Sequence, residues 1–487
     1  MNQLSEALNQ QGMAHFDGDF EKAKKFFALA IAQQPFEAKY YHNHGRKNLS
    51  TDRFADALAD FSTVMRLNAN DDDSCHYLGV AYFFLGMYDL AIEAFMESIR
   101  LMIRNHVNLI PPTVDWAWMA YMRKGDPKSA AALLEKYIYP EIPCGADDLD
   151  YKMRALLYMG ALTVEDFIKW IPQDDVDGIT CWYGIANYYH YVHPDAARYR
   201  EALERTLAFK TVHNAFAYKL AAQEFAALAG DDQKTTGGKE PMDAKVMELE
   251  AYLKQNPTDH KKWFELGQLY FDDEFEKARD CFSMAIAQEP FNVEYRFNRG
   301  RKCLSLDKFE EALADFAWSV RLDSDDGFKW HYLANAHFFL GMYEQAIEGY
   351  QRAIECHTKN GRELVPPAID WIWMAMQRMG KPEEAKAFLL AHTYPEIPVE
   401  ESDLDYKNRI LLYAGLKSMD EYMQNDIHYD DALDAITELY GIVNYYKWVE
   451  PNREKAIAFN DQVLAYKEAH ACFAYKLALK DRAKGMA

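Results

Sequence analysis

The sequence predicts an all-α fold, a solenoid of stacked helical hairpins arranged as two similar modules in tandem. The first observation is the segment His76–Leu101, in which two helical stretches flank the turn residue Gly86. The second is the return of this pattern in His331–Cys356, 255 residues further along the chain. The third is the period, because Gly45 and Gly79 lie 34 residues apart. A hairpin of this size cannot bury its apolar face alone, so the units must stack.

The composition predicts a folded, acidic protein and disfavours two classes of partner. Of the 487 residues, 49% are hydrophobic and 14% aromatic, which is enough to build a large core. The formal net charge is −22. Binding to nucleic acid requires neutralisation of phosphates by Lys and Arg, and anionic membranes also attract basic segments. We therefore expect neither nucleic acid nor a membrane to be the main partner.

The cysteines and the apolar stretches predict a cytoplasmic protein. The seven cysteines form no CxxC pair and are odd in number, which favours reduced thiols over a disulfide framework or a zinc site. The first residues show no basic-then-apolar signal pattern and no lipobox cysteine. No apolar run approaches the roughly 18 residues that span a bilayer.

The first module is predicted over residues 1–229. It begins with three regular hairpins at about 5–36, 37–70 and 71–104, in which small residues allow close helix packing and an aromatic side chain fills the gap to the next unit. After Arg104 the period fails. The rest is predicted to begin with a degenerate hairpin, Val114–Ile138, and an extended connector, Tyr139–Pro143. Two helices, Asp147–Gly160 and Val164–Trp170, and a final pair of hairpins, Thr180–Leu228, are predicted to follow. Pro111 and Pro112 are expected to end a helix or a loop.

Residues 230–242 are polar and glycine-rich and are predicted to be a linker. A second module is predicted over 243–487, with an extra leading helix near Asp243–Gln255. Its regular hairpins lie at about 260–291, 292–325 and 326–359, and its degenerate hairpins follow. The offset between corresponding positions changes from 255 to 257 residues by the time Tyr183 corresponds to Tyr440.

The three units of 34 residues in each half resemble tetratricopeptide repeats. Gly79, Ala91 and Phe95 occupy the places where this repeat has small, small and aromatic residues. The resemblance implies an α-solenoid whose first helices line a concave groove that binds other proteins.

A second resemblance covers most of each half and points to bacterial lipoproteins of the NlpI type. The stretch Trp182–Tyr189 and the group Val212–Asn214 with Tyr218 carry it; in the second half His470 matches, but Ala471 replaces the asparagine. This resemblance implies a non-enzymatic, dimeric adaptor that holds a processing protease beside cell-wall hydrolase substrates. The chain departs from that family by lacking a lipidation signal and by carrying two modules, so duplication is our hypothesis for what replaces dimerisation.

The sequence contains no signature of a catalytic or cofactor site. It has no P-loop, no GxSxG, no HExxH and no GxGxxG ahead of a helix. The segment Asp323–Gly327 resembles the start of a calcium loop, but Ala334 stands where the bidentate glutamate belongs, so helix capping is the better interpretation. His190 and His193 have no evident third ligand. We expect no enzyme activity, no metal and no cofactor.

The predicted binding surface is the concave face of each module, where helical spacing places repeat positions 2, 5, 6, 9 and 12. An arginine beside asparagine, histidine and phenylalanine can hold a peptide through charge, amide hydrogen bonds and apolar contact. The candidate groove residues are Lys39, His42, Asn43, Arg46, His76, Val80 and Phe83 in the first module, and Phe297, Asn298, Arg301, His331, Asn335 and Phe338 in the second. Trp116 and Trp371 are candidate partner anchors.

Each candidate has a structural alternative. Phe83 and Phe338 can equally be core, both tryptophans of each WxW pair can be buried, and Arg46 and Arg301 can form structural salt bridges. The connector Tyr139–Pro143 can be a docking segment or a rigid link. A carboxylate clamp for chaperone tails is disfavoured, because His42 and Val80 stand where polar or basic groups are needed.

Three functions follow from this pattern. The first is a protein-binding scaffold or adaptor that holds peptides or helices in its grooves. The second is a structural unit that assembles into homo-oligomers. The third is an enzyme with a site between the modules, for which the sequence offers no chemistry.

Overall fold

The computed structural model describes residues 2–107, 110–145, 148–171, 175–209, 214–228, 241–361, 365–427 and 431–485. Throughout these residues the regular elements are helices, and no strand occurs. The all-α prediction is therefore confirmed. No helix of the described residues is long and apolar enough to cross a membrane.

The chain divides into two units. The first comprises residues 1–269 and 280–291, and the second comprises 270–279 and 292–487. Residues 243–269 thus group with the first unit, whereas the sequence placed a module boundary at 230–242, of which 230–240 lie outside the described residues. The module boundaries stay a prediction.

The helices of the first unit begin with three regular hairpins and continue with shorter, irregular helices. In order they are α1 (Asn2–Ala14), α2 (Phe20–Gln33), α3 (Ala38–Ser50), α4 (Phe54–Leu67), α5 (Asp72–Phe84), α6 (Tyr88–Arg104), α7 (Ile110–Lys124), α8 (Pro127–Tyr137), α9 (Leu149–Tyr158), α10 (Val164–Trp170), α11 (Asp175–Asn187), α12 (Ala196–Leu207), α13 (Phe216–Leu228), α14 (Pro241–Gln255) and α15 (His260–Leu269). A π-helical turn, Tyr188–Val192, extends α11.

Helix α16 (Phe275–Gln288) contributes residues to both units, and the second unit continues in the same order as the first. Its helices are α17 (Val293–Ser305), α18 (Phe309–Leu322), α19 (Gly327–Phe339), α20 (Tyr343–Lys359), α21 (Pro366–Arg378), α22 (Pro382–His392), α23 (Leu404–Tyr413), α24 (Met419–Asn425), α25 (Ala432–Asn444), α26 (Arg453–Val463) and α27 (Phe473–Ala483). A second π-helical turn, Tyr445–Val449, extends α25.

Small residues allow the two helices of each regular hairpin to pack closely, as the sequence predicts. A Cβ atom added to Gly79 would lie 2.5 Å from Phe95, and one added to Gly300 would lie 2.7 Å from Phe316. Real Cβ atoms do not approach other atoms so closely, so only glycine fits there. The hairpin turn at Gly86 has φ +73°, a left-handed conformation that glycine adopts without strain.

Two details of the irregular half differ from the sequence prediction. Pro111 does not end a helix but lies in the first turn of α7, where proline lacks only an N–H that has no helical partner anyway. The stretch predicted as two hairpins is instead α11 with its π-helical turn, α12 and α13. In the first unit α9 packs on α7, and α11 packs on both α9 and α13.

The last helix of this arrangement folds back onto the regular hairpins. Lys219 on α13 donates hydrogen bonds to the carbonyl oxygens of Leu49 (3.2 Å) and Ser50 (2.9 Å) at the end of α3. In the second unit Lys476 on α27 donates to the corresponding Leu304 and Ser305, both at 2.8 Å. These lysines satisfy carbonyl groups that a helix C-terminus leaves unpaired.

Candidate functional site

The structure divides the predicted groove residues into a buried set and an accessible set. Val80, Phe83, Asn335 and Phe338 are at most 2% exposed. Phe83 packs edge-on against Trp116, and Phe338 packs likewise against Trp371, because the next helix covers them. These four residues offer no surface to a ligand, so the prediction that they line the groove is corrected to a role in the core.

Two groove asparagines of the second unit serve the fold. Asn335 accepts a hydrogen bond of 2.6 Å from the hydroxyl of Tyr350. Asn298 is buried and donates a 2.9 Å hydrogen bond to the carbonyl of Glu294 in its own helix. Both amides satisfy buried polar groups, which is the usual reason for a polar side chain inside a core.

The tryptophans proposed as partner anchors are also buried. Trp116 is 3% exposed and Trp371 is 2% exposed. Their partners in the WxW pairs are equally covered, since Trp118 stacks on Tyr158 at 3.9 Å between ring centroids. An anchor must reach the partner, so the anchor role is wrong for both residues and the core alternative is the one observed.

The accessible part of the first groove begins where α3 meets α1. The exposed Lys39 donates a 2.6 Å hydrogen bond to Glu6, and Asn43 donates a 2.9 Å hydrogen bond to the side-chain oxygen of Asn9. These bonds hold both side chains at the mouth of the groove. A ligand that used them would have to exchange one hydrogen bond for another.

Arg46 and Arg301 are half-buried at corresponding positions and are held by aromatic rings instead of by acids. The guanidinium of Arg46 lies 4.7 Å from the ring centroid of Phe16 and 5.3 Å from that of Tyr77. The guanidinium of Arg301 lies 4.4 Å from Phe271 and 5.4 Å from Tyr332.

The alternative of a structural salt bridge is not observed for either arginine, because no ion pair within the described part of the chain joins Arg46 or Arg301 to a carboxylate. A guanidinium that lies over an aromatic ring still has five N–H donors for other partners. Donors that no neighbour uses are the chemistry that these two side chains can offer to a carboxylate.

The surroundings of the two arginines differ. Beside Arg46, His42 hydrogen-bonds Ser74 through Nδ1 at 2.7 Å and approaches the exposed Asp73 at 3.4 Å. Burial lowers the pKa of His42, and the charge of Asp73 opposes that change. The corresponding residues in the second unit are Phe297 and Phe328, so this groove has aromatic rings where the first has a histidine and a carboxylate.

The deeper histidines of the two grooves are neutral. Nδ1 of His76 lies 2.9 Å from the hydroxyl of Thr113, and burial lowers the pKa of His76 to about 4. His331 packs against the rings of Tyr332 and Tyr350, and burial lowers its pKa to about 3. Neither ring carries charge near neutral pH, so both contribute neutral, polar aromatic surface to the predicted grooves.

A polar cluster on the irregular half of the first unit was not predicted. Arg123 donates a hydrogen bond to Glu224 and another, of 2.7 Å, to the hydroxyl of Tyr183. Glu224 also accepts hydrogen bonds from the hydroxyls of Tyr183 (2.6 Å) and Tyr199 (2.9 Å). The cluster borders a cavity of about 510 Å³ lined by Tyr88, Met122, Arg123, His190, Tyr191, Tyr199, Glu224, Ala227 and Leu228.

The sequence held a signal for this cluster. A lone acid recurs at the ninth position of the apolar helices α13 and α27, as Glu224 and as Asp481, and a tyrosine recurs as Tyr183 and Tyr440. Polar residues that recur inside apolar helices indicate buried hydrogen bonds. Across the described residues no group of three or more His, Cys, Asp or Glu side chains is arranged to hold a metal ion.

Comparison with known proteins identifies the repeats. Residues 72–101, which are α5 and most of α6, match the tetratricopeptide repeat model. Human DnaJ homolog subfamily C member 7 is 35% identical over 101 residues, which is 20% of this chain and 20% of that protein. The chain therefore spans about a fifth of the length of that relative.

Two solved structures align with most of the chain at low identity. The alignment with yeast Tom70 covers 96% of this chain and 96% of the Tom70 chain, with 13% identity and a TM-score of 0.28. The alignment with the Cut9–Hcn1 hetero-tetramer of the APC/C covers 98% of this chain and 96% of the solved chain, with 11% identity and a TM-score of 0.32. The family match thus assigns residues 72–101 to a tetratricopeptide repeat, and the other hairpins of the same pattern stay a prediction.

Proposed function

We propose that this protein is a non-enzymatic adaptor that holds acidic segments of other proteins in two arginine-centred grooves. The observation that carries the proposal is the pair of guanidinium groups of Arg46 and Arg301, each of which lies over aromatic rings. Each is fixed by two aromatic rings and has no carboxylate partner among the described residues. A fixed arginine loses little side-chain entropy when it binds a carboxylate.

The accessible neighbours of these arginines complete the proposed grooves. Lys39 and Asn43 flank the first groove, and the ring of Phe297 flanks the second. A peptide carboxylate on the arginine with an apolar side chain on the neighbouring rings would combine charge and apolar contact. The chain is acidic overall, so this contact depends on the local arginine and not on long-range attraction.

The absence of catalysis and the cytoplasmic location are parts of the same proposal. The polar groups of the Arg123–Glu224 cluster are largely taken up by one another, which supports a structural or binding role over a catalytic one. All seven cysteines are free thiols, which suits a reducing compartment. The two tandem modules, which we place at 1–229 and 243–487, provide one groove each.

The test is binding of a fluorescent, glutamate-rich peptide to the full chain. We expect Arg46→Gln and Arg301→Gln to weaken binding by roughly tenfold when combined, since a charge-assisted contact contributes about 1.5–3 kcal/mol. The matched control is Arg352→Gln, which removes an exposed arginine from α20 outside the groove and should leave binding unchanged.

Equal affinity for the double variant and the wild type would contradict the groove proposal. The alternative of self-assembly has its own readout, because a homo-oligomer would appear by light scattering and would depend on the same arginines.

A further inference from the structure

The polar cluster of the second unit contains a lysine that the first unit lacks. Lys447 is the third residue of the π-helical turn Tyr445–Val449. Its ammonium lies 2.9 Å from a carboxylate oxygen of Asp481 and 4.6 Å from the ring centroid of Trp448. The side chain is only 5% exposed. The second unit thus buries an ammonium between a carboxylate and an aromatic ring.

The first unit has the corresponding arginine, tyrosine and acid without the ammonium, and it adds the hydroxyl of Tyr199, where the second unit has Ala456. His190 is the third residue of the turn Tyr188–Val192, and Glu224 occupies the place of Asp481 as the ninth residue of its helix. His190 is exposed and packs edge-on against Tyr191, at 4.3 Å between ring centroids, and at a tilt against Tyr199, at 4.6 Å. The cavity of about 510 Å³ opens beside these residues. π-helical turns are rare and are frequent at functional sites.

The carboxylate of Glu224 has capacity for one more donor. One oxygen accepts from Arg123 and Tyr183, and the other accepts from Tyr199. A carboxylate offers about four acceptor sites, so these bonds leave about one site on the second oxygen. In the second unit, Asp481 accepts from Tyr440 and Lys447 while Arg378 lies 3.5 Å away. The same framework therefore tolerates a second cation beside its arginine.

We propose that the cavity beside Glu224 binds the ammonium group of a lysine side chain from a partner polypeptide, in the place that the second unit gives to Lys447. Glu224 accepts from the ammonium, and the rings of Tyr88, Tyr191 and Tyr199 surround its charge and its methylene groups. Aromatic rings attract a cation through their faces.

Lysine fits this site better than arginine does. A single vacant acceptor position suits a compact point charge, whereas a guanidinium would bring a planar fork of donors that needs two oxygens side by side. The net charge of −22 also favours approach of a basic segment. This inference does not depend on the arginine grooves, because it concerns other residues and the opposite charge.

The first experiment compares small probes on the full wild-type chain by saturation-transfer NMR. The cationic probe is Nα-acetyl-lysine N-methylamide, and the neutral probes are its Nε-acetylated form and the norleucine analogue. We expect the cationic probe to bind at least tenfold more tightly than either neutral probe. Equal binding of the three, or no binding of the cationic probe, would overturn the proposal without any variant.

The second experiment fills the cavity from within. His190→Lys places an ammonium where the second unit has Lys447, so we expect the variant to fold and to lose binding of the cationic probe. His193→Lys adds the same charge at an exposed position just after the turn and should keep the binding. Unchanged affinity in His190→Lys, or equal loss in both variants, would contradict a site at Glu224.

The third experiment empties the site of the second unit. Lys447→Ala removes the ammonium from Asp481, and we expect n-butylammonium to raise the melting temperature of this variant by more than it raises that of the wild type. The neutral isostere n-butanol should give no such difference. If n-butylammonium raises the melting temperature of both proteins equally, Lys447 of the second unit does not indicate what the first unit binds. That result would overturn the proposal.

Discussion

The grooves around Arg46 and Arg301 have the same framework and differ in charge. In both, the guanidinium lies over two aromatic rings. In the first unit the exposed carboxylate of Asp73 lies nearby, whereas the corresponding residue of the second unit is Phe328. The difference shows that one helical framework can keep its arginine while a single surface position changes what the arginine meets.

The Arg123–Glu224 cluster of the first unit and the Arg378–Asp481 cluster of the second unit also differ in charge. Here the second unit has the additional charge, the ammonium of Lys447. Tyr183 and Tyr440 bond the acids of their own units in the same way. A cavity lies beside His190, whereas the ammonium of Lys447 lies 2.9 Å from Asp481. The arginine, tyrosine and acid agree between the units and the third residue of the π-helical turn differs, so we expect the two units to share their stability and to differ in their ligands.

The largest effect should come from the buried ion pairs that the two units share. Arg154 lies 3.1 Å from Asp115, and Arg409 lies 2.9 Å from Asp370, with all four side chains at most 3% exposed. Substitution of either arginine by methionine leaves a carboxylate buried without a counter-charge. We expect Arg154→Met and Arg409→Met to lower the free energy of unfolding by about 3–5 kcal/mol each, measured by urea denaturation.

The control for these variants removes both charges. Asp370→Leu combined with Arg409→Met should recover most of the loss, because a buried ion pair replaced by apolar side chains is close to neutral. If Arg409→Met alone costs less than about 1 kcal/mol, the aspartate is being neutralised or hydrated, and the comparison of the two cores has to be revised.

The second-largest expected effect is on the pH dependence of the free energy of unfolding, in which His331 and His76 should differ. Both have a pKa lowered by burial, to about 3 and about 4, so each is neutral when folded and protonates near pH 6.5 only when unfolded. Their stabilising contribution is present above pH 6.5 and is lost as the pH falls towards the folded pKa. His76 has the hydroxyl of Thr113 as a partner, whereas Ala368 stands at the corresponding position beside His331.

Replacing His331 by phenylalanine should therefore flatten the acid limb of the stability profile. Between pH 7 and pH 5 we expect the variant to lose about 1–2 kcal/mol less than the wild type does, measured by urea unfolding at each pH. His76→Phe should flatten it too, but should cost more stability at pH 7, because Thr113 loses its hydrogen-bond partner. An unchanged pH profile in His331→Phe would show that the ring is solvated when folded.

The third effect concerns a hairpin turn of the regular half. Gly86 has φ +73° and Gly341 has φ +77°, and the space around both is open, so strain and not crowding is what an added methyl group introduces. We expect Gly86→Ala to lower the melting temperature by an amount that corresponds to about 1 kcal/mol. Gly18→Ala, which also has open space but an ordinary backbone conformation, is the matched control and should be nearly neutral.

The sequence predicted the regular hairpins well because their constraints are local. Gly79 must approach Phe95, and Asp71 must cap α5 through the N–H of Ser74, and both requirements are visible in one period. The irregular half depends on contacts between residues far apart in the chain, such as Lys219 with Leu49. No periodicity records these contacts, so the return of α13 could not be predicted, and the recurring acids Glu224 and Asp481 indicate buried hydrogen bonds without showing which residues form them.

The groove stays a prediction, and its residue set was too large for a related reason. Helical spacing places Arg46, Val80 and Phe83 along one inner face, but it does not tell which part of that face the next helices cover. The side chains of α7 bury Phe83, and only the structure shows that Trp116 contributes to this. Spacing alone therefore identifies a face of a helix, whereas exposure decides which of its residues can bind.

The smallest expected effect tests the charge difference between the grooves directly. Asp73→Asn removes the exposed carboxylate beside Arg46 without changing its shape. The glutamate-rich peptide should therefore bind the first groove more tightly by a factor of up to about five, since exposed charge pairs contribute about 0.2–1 kcal/mol. Phe328→Asp should weaken the second groove by a similar factor, while Phe328→Asn, which is polar but uncharged, should weaken it less. Binding is measured in an Arg301→Gln background for the first groove and in an Arg46→Gln background for the second. If both aspartate changes leave affinity unaltered at low salt, the charge at this position does not reach the ligand, and the rings alone distinguish the two grooves.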